Sequence, residues 1–303
     1  MKRMTVVVAL AFSLCAASTA YAQPGWDTYV ASTGSDANSC LRPTPCATYT
    51  RAFAQTQVGG IIHAVDVGAY GALVITHSIT IDGGGISSPL EGGGGVYATI
   101  AGGQFYINAG ATDVVTIENM AMGGNHGSFL EGINVNAVGT LHVQNCLLIG
   151  YHNFGINFRA TGAELQLKDV TITDMPAGTG VYVSNARASL DHVAIHSTQA
   201  GVISAGSSAV SITHSTANGN AEAFAAGYGP TAEIHIDDCL MTNNEWAVVV
   251  ADGAKAYVGH SSLFNNTISA LFNDGSSFLY SFGTNQLIGN ASDGLFTATV
   301  SLK

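Results

Sequence analysis

From residue 114 onward, short runs of alternating apolar and polar residues recur, with a polar break at a fixed place. Written as successive units, the chain reads VVTIENMAMGGNHGSFLEGINVNAVG, TLHVQNCLLIGYHNFGINFRATGA and ELQLKDVTITDMPAGTGVYVSNARA. Then come SLDHVAIHSTQAGVISAGSSA, VSITHSTANGNAEAFAAGYGPTA, EIHIDDCLMTNNEWAVVVADGA, KAYVGHSSLFNNTISALFNDGSS and FLYSFGTNQLIGNASDGLFTATV, so that units run from 21 to 26 residues. Each opens on a period-two alternation, the mark of a strand with one buried face. A polar turn position, a second apolar pair and an Asn- or Gly-containing turn follow, then a strand such as GINV, GINF, GVYV or WAVVV. Three short strands, no helix and a period in the low twenties predict a parallel β-helix built coil on coil. Leucine-rich repeats share the period but need Leu at fixed positions, and propeller blades need about twice the length.

The polar turn position aligns as a column: Asn119, Asn145, Asp169, His192, His214, Asp238 and His260. Stacked coils would space these residues by about 4.8 Å. A ladder of hydrogen bonds along the column, satisfying buried turn groups, accounts for their polarity. Asp237 precedes Asp238, so strand alternation sends the two side chains to opposite faces. Paired carboxylates that cut a glycosidic bond must share one cleft. The pair therefore reads as scaffold.

Composition narrows the setting. Only 10% of residues are charged and 37 are Gly, which suits tightly turned β structure rather than disorder. Lys2 and Arg3, the apolar run TVVVALAFSLCAA and the small-x-small site Ala20-Tyr21-Ala22 form a secretory signal over residues 1–22. Its cleavage removes two basic residues and no acid, taking the formal net charge from −11 to −13. The expected localisation is secreted or periplasmic. So negative a surface argues against nucleic acid as a partner, and an acidic polysaccharide would need a bridging cation or a local basic patch. No later run is long enough to span a membrane, so no insertion is expected after cleavage.

The start of the mature chain, TYVASTGSDANSCLRPTPCATYTRAFAQTQVGGIIHAVDVGAYGALVITHSITIDGGG, resembles secreted bacterial right-handed parallel β-helix proteins of the pectin-lyase-like superfamily. In that likeness YVA..G.DAN is a first strand and turn, CATYTRAFAQTQVGG the helix that caps the open end of the stack, and SITIDGGG an early rung. It continues through DVVTIENM and GINV to SFGTNQLIGN. The resemblance implies an all-β, right-handed, single-stranded parallel β-helix with a short N-terminal capping helix. Residues 23–60 form the first strand and cap, and residues 61–303 the helix, in one domain. Tyr49 and Phe53, four apart on one helical face, plug the first end. Cys40 and Cys46 flank the Pro-stiffened LRPTP in an oxidising compartment, which predicts a disulfide that staples the cap. Cys146 and Cys239 lie four coils apart, about 19 Å by strand spacing, too far to bridge, and are expected free and packed.

Enzymes of the superfamily bind sugar chains in a groove along one sheet. The resemblance implies lyases with a cation and an Arg or Lys base, or hydrolases with Asp clusters, a His and Arg-x-Lys. The sequence carries no Asn-Thr-Asp, Gly-His-Gly or Arg-x-Lys run, so no complete catalytic site is recognisable. Among the basic residues, Arg159 stands out. In GINFRATGA, Asn157 and Arg159 face outward if Ile156 and Phe158 face in. Asn134 and Asn136 lie one coil before, Tyr182 one coil after, and Glu131, Tyr151, His152 and Asp174 on neighbouring turns. Amides, an aromatic face and a guanidinium fork suit sugars. The leading reading is a glycan-interacting scaffold for an extracellular or cell-wall polysaccharide. A polysaccharide lyase with Arg159 as base, and a surface structural or adhesive protein, are the alternatives. No cofactor is expected, with calcium entering only under the lyase alternative. No metal site is assigned, because His192 and His214 fit the turn column and no local His cluster with a carboxylate goes beyond His192 and His196.

Overall fold

The computed structural model describes residues 25–84, 99–101, 104–124 and 130–301, with only the backbone given for 99–101. The proposed signal segment, the glycine run 91–95 and Lys303 lie outside the described residues. What it describes is a parallel β-solenoid in which each strand pairs with its counterpart one coil away. The coil of Ala209–Thr213, Thr216–Asn218 and Glu222–Gly227 is typical. Its strands pair in parallel with Glu233–Asp237, Leu240–Thr242 and Trp246–Val250 of the next coil.

Alternation in sequence becomes stacking in space. Ile62, Ile81, Ile117, Val143, Leu167, Leu190, Ile212, Ile236 and Val258 occupy one register position in successive coils. Each is at most 2% exposed. Apolar area removed from water along such columns is the main stabilising term of the fold. Beyond this apolar run the same position passes to Thr28 on one side, and to Ser281 and then Thr299 on the other. The Thr28 hydroxyl meets Thr56 Oγ1 at 2.7 Å.

The first end is closed as expected. The helix Tyr49–Gln55 is capped by Thr48, whose hydroxyl accepts from the Arg51 N–H. Tyr49 is fully buried and packs edge-on to Tyr70 at 5.2 Å. Phe53 packs on the core and stacks on His77 at 4.3 Å. Strand Thr56–Ala64 pairs with Gly25–Val30 on one side and Ile79–Asp82 on the other, so cap and coils share one sheet. Cys40 and Cys46 are disulfide-bonded with Cα atoms 4.7 Å apart. Cys146 and Cys239 are free and buried, and burial pushes both thiols up to about 12.

The turn column is in register, but its reason differs from the sequence expectation. All seven residues have a left-handed backbone, with φ between 42° and 56°. Asn, Asp and His tolerate that region better than other non-glycine residues, which explains the residue types. The column is also not a buried ladder. His192, His214 and Asp238 have side chains 57%, 52% and 67% exposed. Among the described residues, amide bonding along it is confined to its start, where Asn145 Nδ2 donates to Asn119 Oδ1 at 2.8 Å and Asn119 Nδ2 to Asp82 at 3.0 Å. The left-handed turn also overrides alternation at Asp237 and Asp238. Both side chains reach solvent, Asp237 meeting His260 at 2.8 Å and Asp238 lying 3.7 Å from His214.

The buried ladder belongs to the other corner. Asn220, Asn244, Asn266 and Asn290 stack in successive coils. Asn244 Oδ1 accepts from both the backbone N–H and Nδ2 of Asn220 at 3.0 Å. Asn266 and Asn290 repeat the arrangement one and two coils on. Each amide also donates to a carbonyl of the preceding coil, Asn244 to Ala217 and Asn266 to Met241. Otherwise unsatisfied buried backbone groups are thereby paired.

Candidate functional site

The strands Glu131–Ala137, Phe154–Phe158 and the end of Glu164–Ser184 lie side by side. Their register puts Asn134, Asn157 and Tyr182 at one position, and it continues through Ile203, Ala225, Val249 and Phe272. The glycines of GINV, GINF and GVYV let these strands start close together. A Cβ on Gly132, Gly155 or Gly180 would fall 2.7 Å from a carbonyl oxygen of the next coil.

At the head of this face the side chains form one network. The Glu131 carboxylate accepts from Asn134 Nδ2 and, at 3.0 Å, from Asn157 Nδ2. Asn157 is 3% exposed and accepts at Oδ1 from Arg159 Nε at 2.9 Å. The Arg159 guanidinium carbon lies 5.7 Å from the Phe154 ring centre and 5.2 Å from that of Tyr182. The two rings are themselves 5.6 Å apart. A buried amide and two rings thus hold an exposed cation, a geometry in which planar Arg cannot be replaced by Lys without loss.

Of the nine residues singled out from sequence, the structure joins Glu131, Asn134, Asn157, Arg159 and Tyr182. Asn136 is exposed on the same strand as Asn134. His152 is exposed in the turn before Phe154. Tyr151 is not on the face. It is 2% exposed and lies beneath Gly132, and burial pushes its phenol well above the ordinary range. Asp174 has φ 60° and sits in the left-handed corner column with Gly150 and Ser197, a backbone role that its residue type explains.

Sequence reasoning missed Phe154, whose signal was an aromatic residue just before the strand glycine. The sequence places the site on residues 131–184 and reads Ile203, Ala225, Val249 and Phe272 as the continuation of the outward column. Ile203 and Ala225 are only 9% and 7% exposed, packed with Tyr182 and Val249. Trp246 stands edge-on to Phe272 at 5.1 Å. Glu222 is level with Trp246, and burial raises its carboxyl above the ordinary range. Within the Arg159 network Glu131 supplies a carboxylate bonded to both Asn134 and Asn157.

A separate cleft of about 370 Å³ lies near the cap, lined by residues including Tyr29, Arg42, His63, Asp82 and Asn119. His63 Nδ1 is 2.9 Å from Asp82, and its ring stacks on Tyr29. Burial acts to raise the Asp82 carboxyl, but bonds from Asn119, the Gly84 N–H and His63 outweigh it and hold it low.

A family model described as the right handed beta helix region matches residues 131–291. No curated protein matches the sequence. Among solved structures, a GH136 lacto-N-biosidase from Eubacterium ramulus is similar, with a TM-score of 0.37 and 10% identity over 91% of this chain and 67% of that one. A likeness so slight does not bear on function. Among the described residues, no helix is long and apolar enough to cross a membrane.

Proposed function

Since the chain belongs to the right-handed β-helix family, we propose that it is an exported glycan-binding protein. Its contact surface is the sheet face running from Glu131 to Phe272. The observation that carries this reading is Arg159 held between Phe154 and Tyr182 while bonded through Asn157 to Glu131. Aromatic faces pack on the apolar side of a sugar ring, amides bond its hydroxyls, and a guanidinium fork matches a carboxylate. The chemistry therefore favours an acidic polysaccharide. Beyond Tyr182 the face turns apolar and ends on Trp246 and Phe272. A chain lying along the axis crosses one rung about every 4.8 Å and meets a second aromatic platform there. The Cys40–Cys46 disulfide suits an oxidising destination.

A glycan array followed by calorimetry tests this. Retention of uronate-containing polymers by the mature protein, reduced at least tenfold by Arg159→Ala and by Tyr182→Ala, is the expected result. Uniform failure to bind, or binding indifferent to both changes, would remove the reading. Ultraviolet absorbance of unsaturated products, assayed on the same polymers with calcium, distinguishes binding from lyase activity.

A further inference from the structure

A second group of chemistry-bearing side chains lies on the exposed corner column, away from the sheet face. His192 and His214 occupy it in successive coils, with φ of 55° and 49°. The left-handed turn throws both imidazoles outward at the same edge. Their rings stack at 5.0 Å with planes 20° apart. Asp191 reaches both. Its Oδ2 is 3.0 Å from His192 Nδ1 and its Oδ1 2.7 Å from His214 Nδ1. One ligand atom from each of the three lies within 4.8 Å of the others.

We propose that Asp191, His192 and His214 bind one divalent transition-metal ion of the zinc class. Two imidazole nitrogens and one carboxylate oxygen form the mixed donor set that zinc, copper and nickel take, whereas calcium and magnesium demand oxygen. Without an ion, each neutral imidazole turns an Nδ1 proton toward the shared carboxylate. One ion between the three groups replaces both Nδ1 protons and leaves the rings neutral. All three side chains are at least 36% exposed, so modest ring rotation can bring the nitrogens to a common point and water can fill the remaining positions. Asp238 Oδ2, 3.7 Å from His214 Nε2, adds negative charge on the next coil. The ligands come from two coils, so the ion also cross-links them. A search for local His spacing cannot find such a site, because its donors are 22 residues apart in sequence and adjacent only through the coil register.

The test uses the mature protein, stripped with chelator and titrated with Zn²⁺ by calorimetry. One site is expected, weakened at least tenfold by Asp191→Asn, His192→Asn or His214→Asn. At His192 and His214 Asn is chosen because it tolerates the left-handed backbone, and at Asp191 because it removes the charge at nearly constant shape. His235→Asn, which alters a histidine outside the column, should leave the affinity unchanged. Spectroscopy of the Cu²⁺-loaded wild-type protein, which needs no variant, should show two nitrogen ligands. Absence of a Zn²⁺ site, wild-type affinity in all three column variants, or fewer than two nitrogens on copper would each overturn the proposal.

Discussion

Arg159 lies across the Tyr182 ring at 5.2 Å while its Nε donates to the nearly buried Asn157 at 2.9 Å. Positive charge alone does not reproduce this arrangement. Arg159→Lys keeps the charge but loses the flat fork that stacks and bonds at once. We expect the lysine variant to bind an acidic polysaccharide about tenfold more weakly, about 1.4 kcal/mol, with melting temperature little changed. Calorimetry against the wild type checks this, and full affinity in the lysine variant would mean that charge suffices.

The asparagine ladder should be far less tolerant than any surface residue. Asn244 is fully buried and serves Asn220 above, Asn266 below and the Ala217 carbonyl. Asn244→Ala orphans several of these groups, and an unsatisfied buried group costs about 1–3 kcal/mol. A loss of about 2–5 kcal/mol in denaturant unfolding is expected on that basis. A loss below about 1 kcal/mol would mean that water replaces the amide.

Gly180 should resist enlargement for a different reason. Its missing Cβ would sit 2.7 Å from the Gly201 carbonyl oxygen. Gly180→Ala must push two coils apart or shift the strand that carries Tyr182. An overpacking cost of about 1–3 kcal/mol is expected in thermal or denaturant unfolding, together with weaker glycan binding.

Acid should loosen the cap through Asp66. Its carboxylate accepts from the Ser32 N–H at 2.7 Å, the Ser32 hydroxyl at 2.6 Å and the Tyr70 hydroxyl. Burial acts to raise its pKa, but these bonds prevail and hold it below the ordinary range. A depressed carboxylate contributes stability above its unfolded value of about 3.9, and loses that contribution as pH falls through the lower folded value. Melting temperatures recorded between pH 7 and pH 2 should therefore fall less for Asp66→Asn than for the wild type. Parallel curves for the two proteins would show that Asp66 contributes nothing to acid unfolding.

The solenoid was legible because its evidence is local and repeated. The alternation of EIHI or ELQL names the buried columns directly, and the polar break after it marks the corner. The Arg159 network was legible in part for the same reason: Asn134, Asn157 and Tyr182 share a register that unit alignment reveals. Alternation fails where the backbone turns left-handed. At Asp191 and His192, and again at Asp237 and Asp238, neighbours expected on opposite faces both point outward. Tyr151 was misplaced because it follows Gly150, another left-handed corner, and swings inward. The asparagine ladder had a signal that went unread, the recurring pairs Gly219-Asn220, Asn243-Asn244, Asn265-Asn266 and Gly289-Asn290. In each pair the first residue makes the turn and the second fills the interior.

The steric filter at the exposed corner has a chemical by-product. A left-handed bend excludes branched aliphatic side chains and admits a short list that includes histidine, aspartate and asparagine. Histidine and aspartate are also among the common proton carriers and ion ligands in proteins. A chain that only needs to round the bend therefore displays, at several of its windings, a group capable of reactivity at fixed pitch from the next. New binding sites can arise along that edge by swapping one permitted residue for another, without disturbing the packed interior.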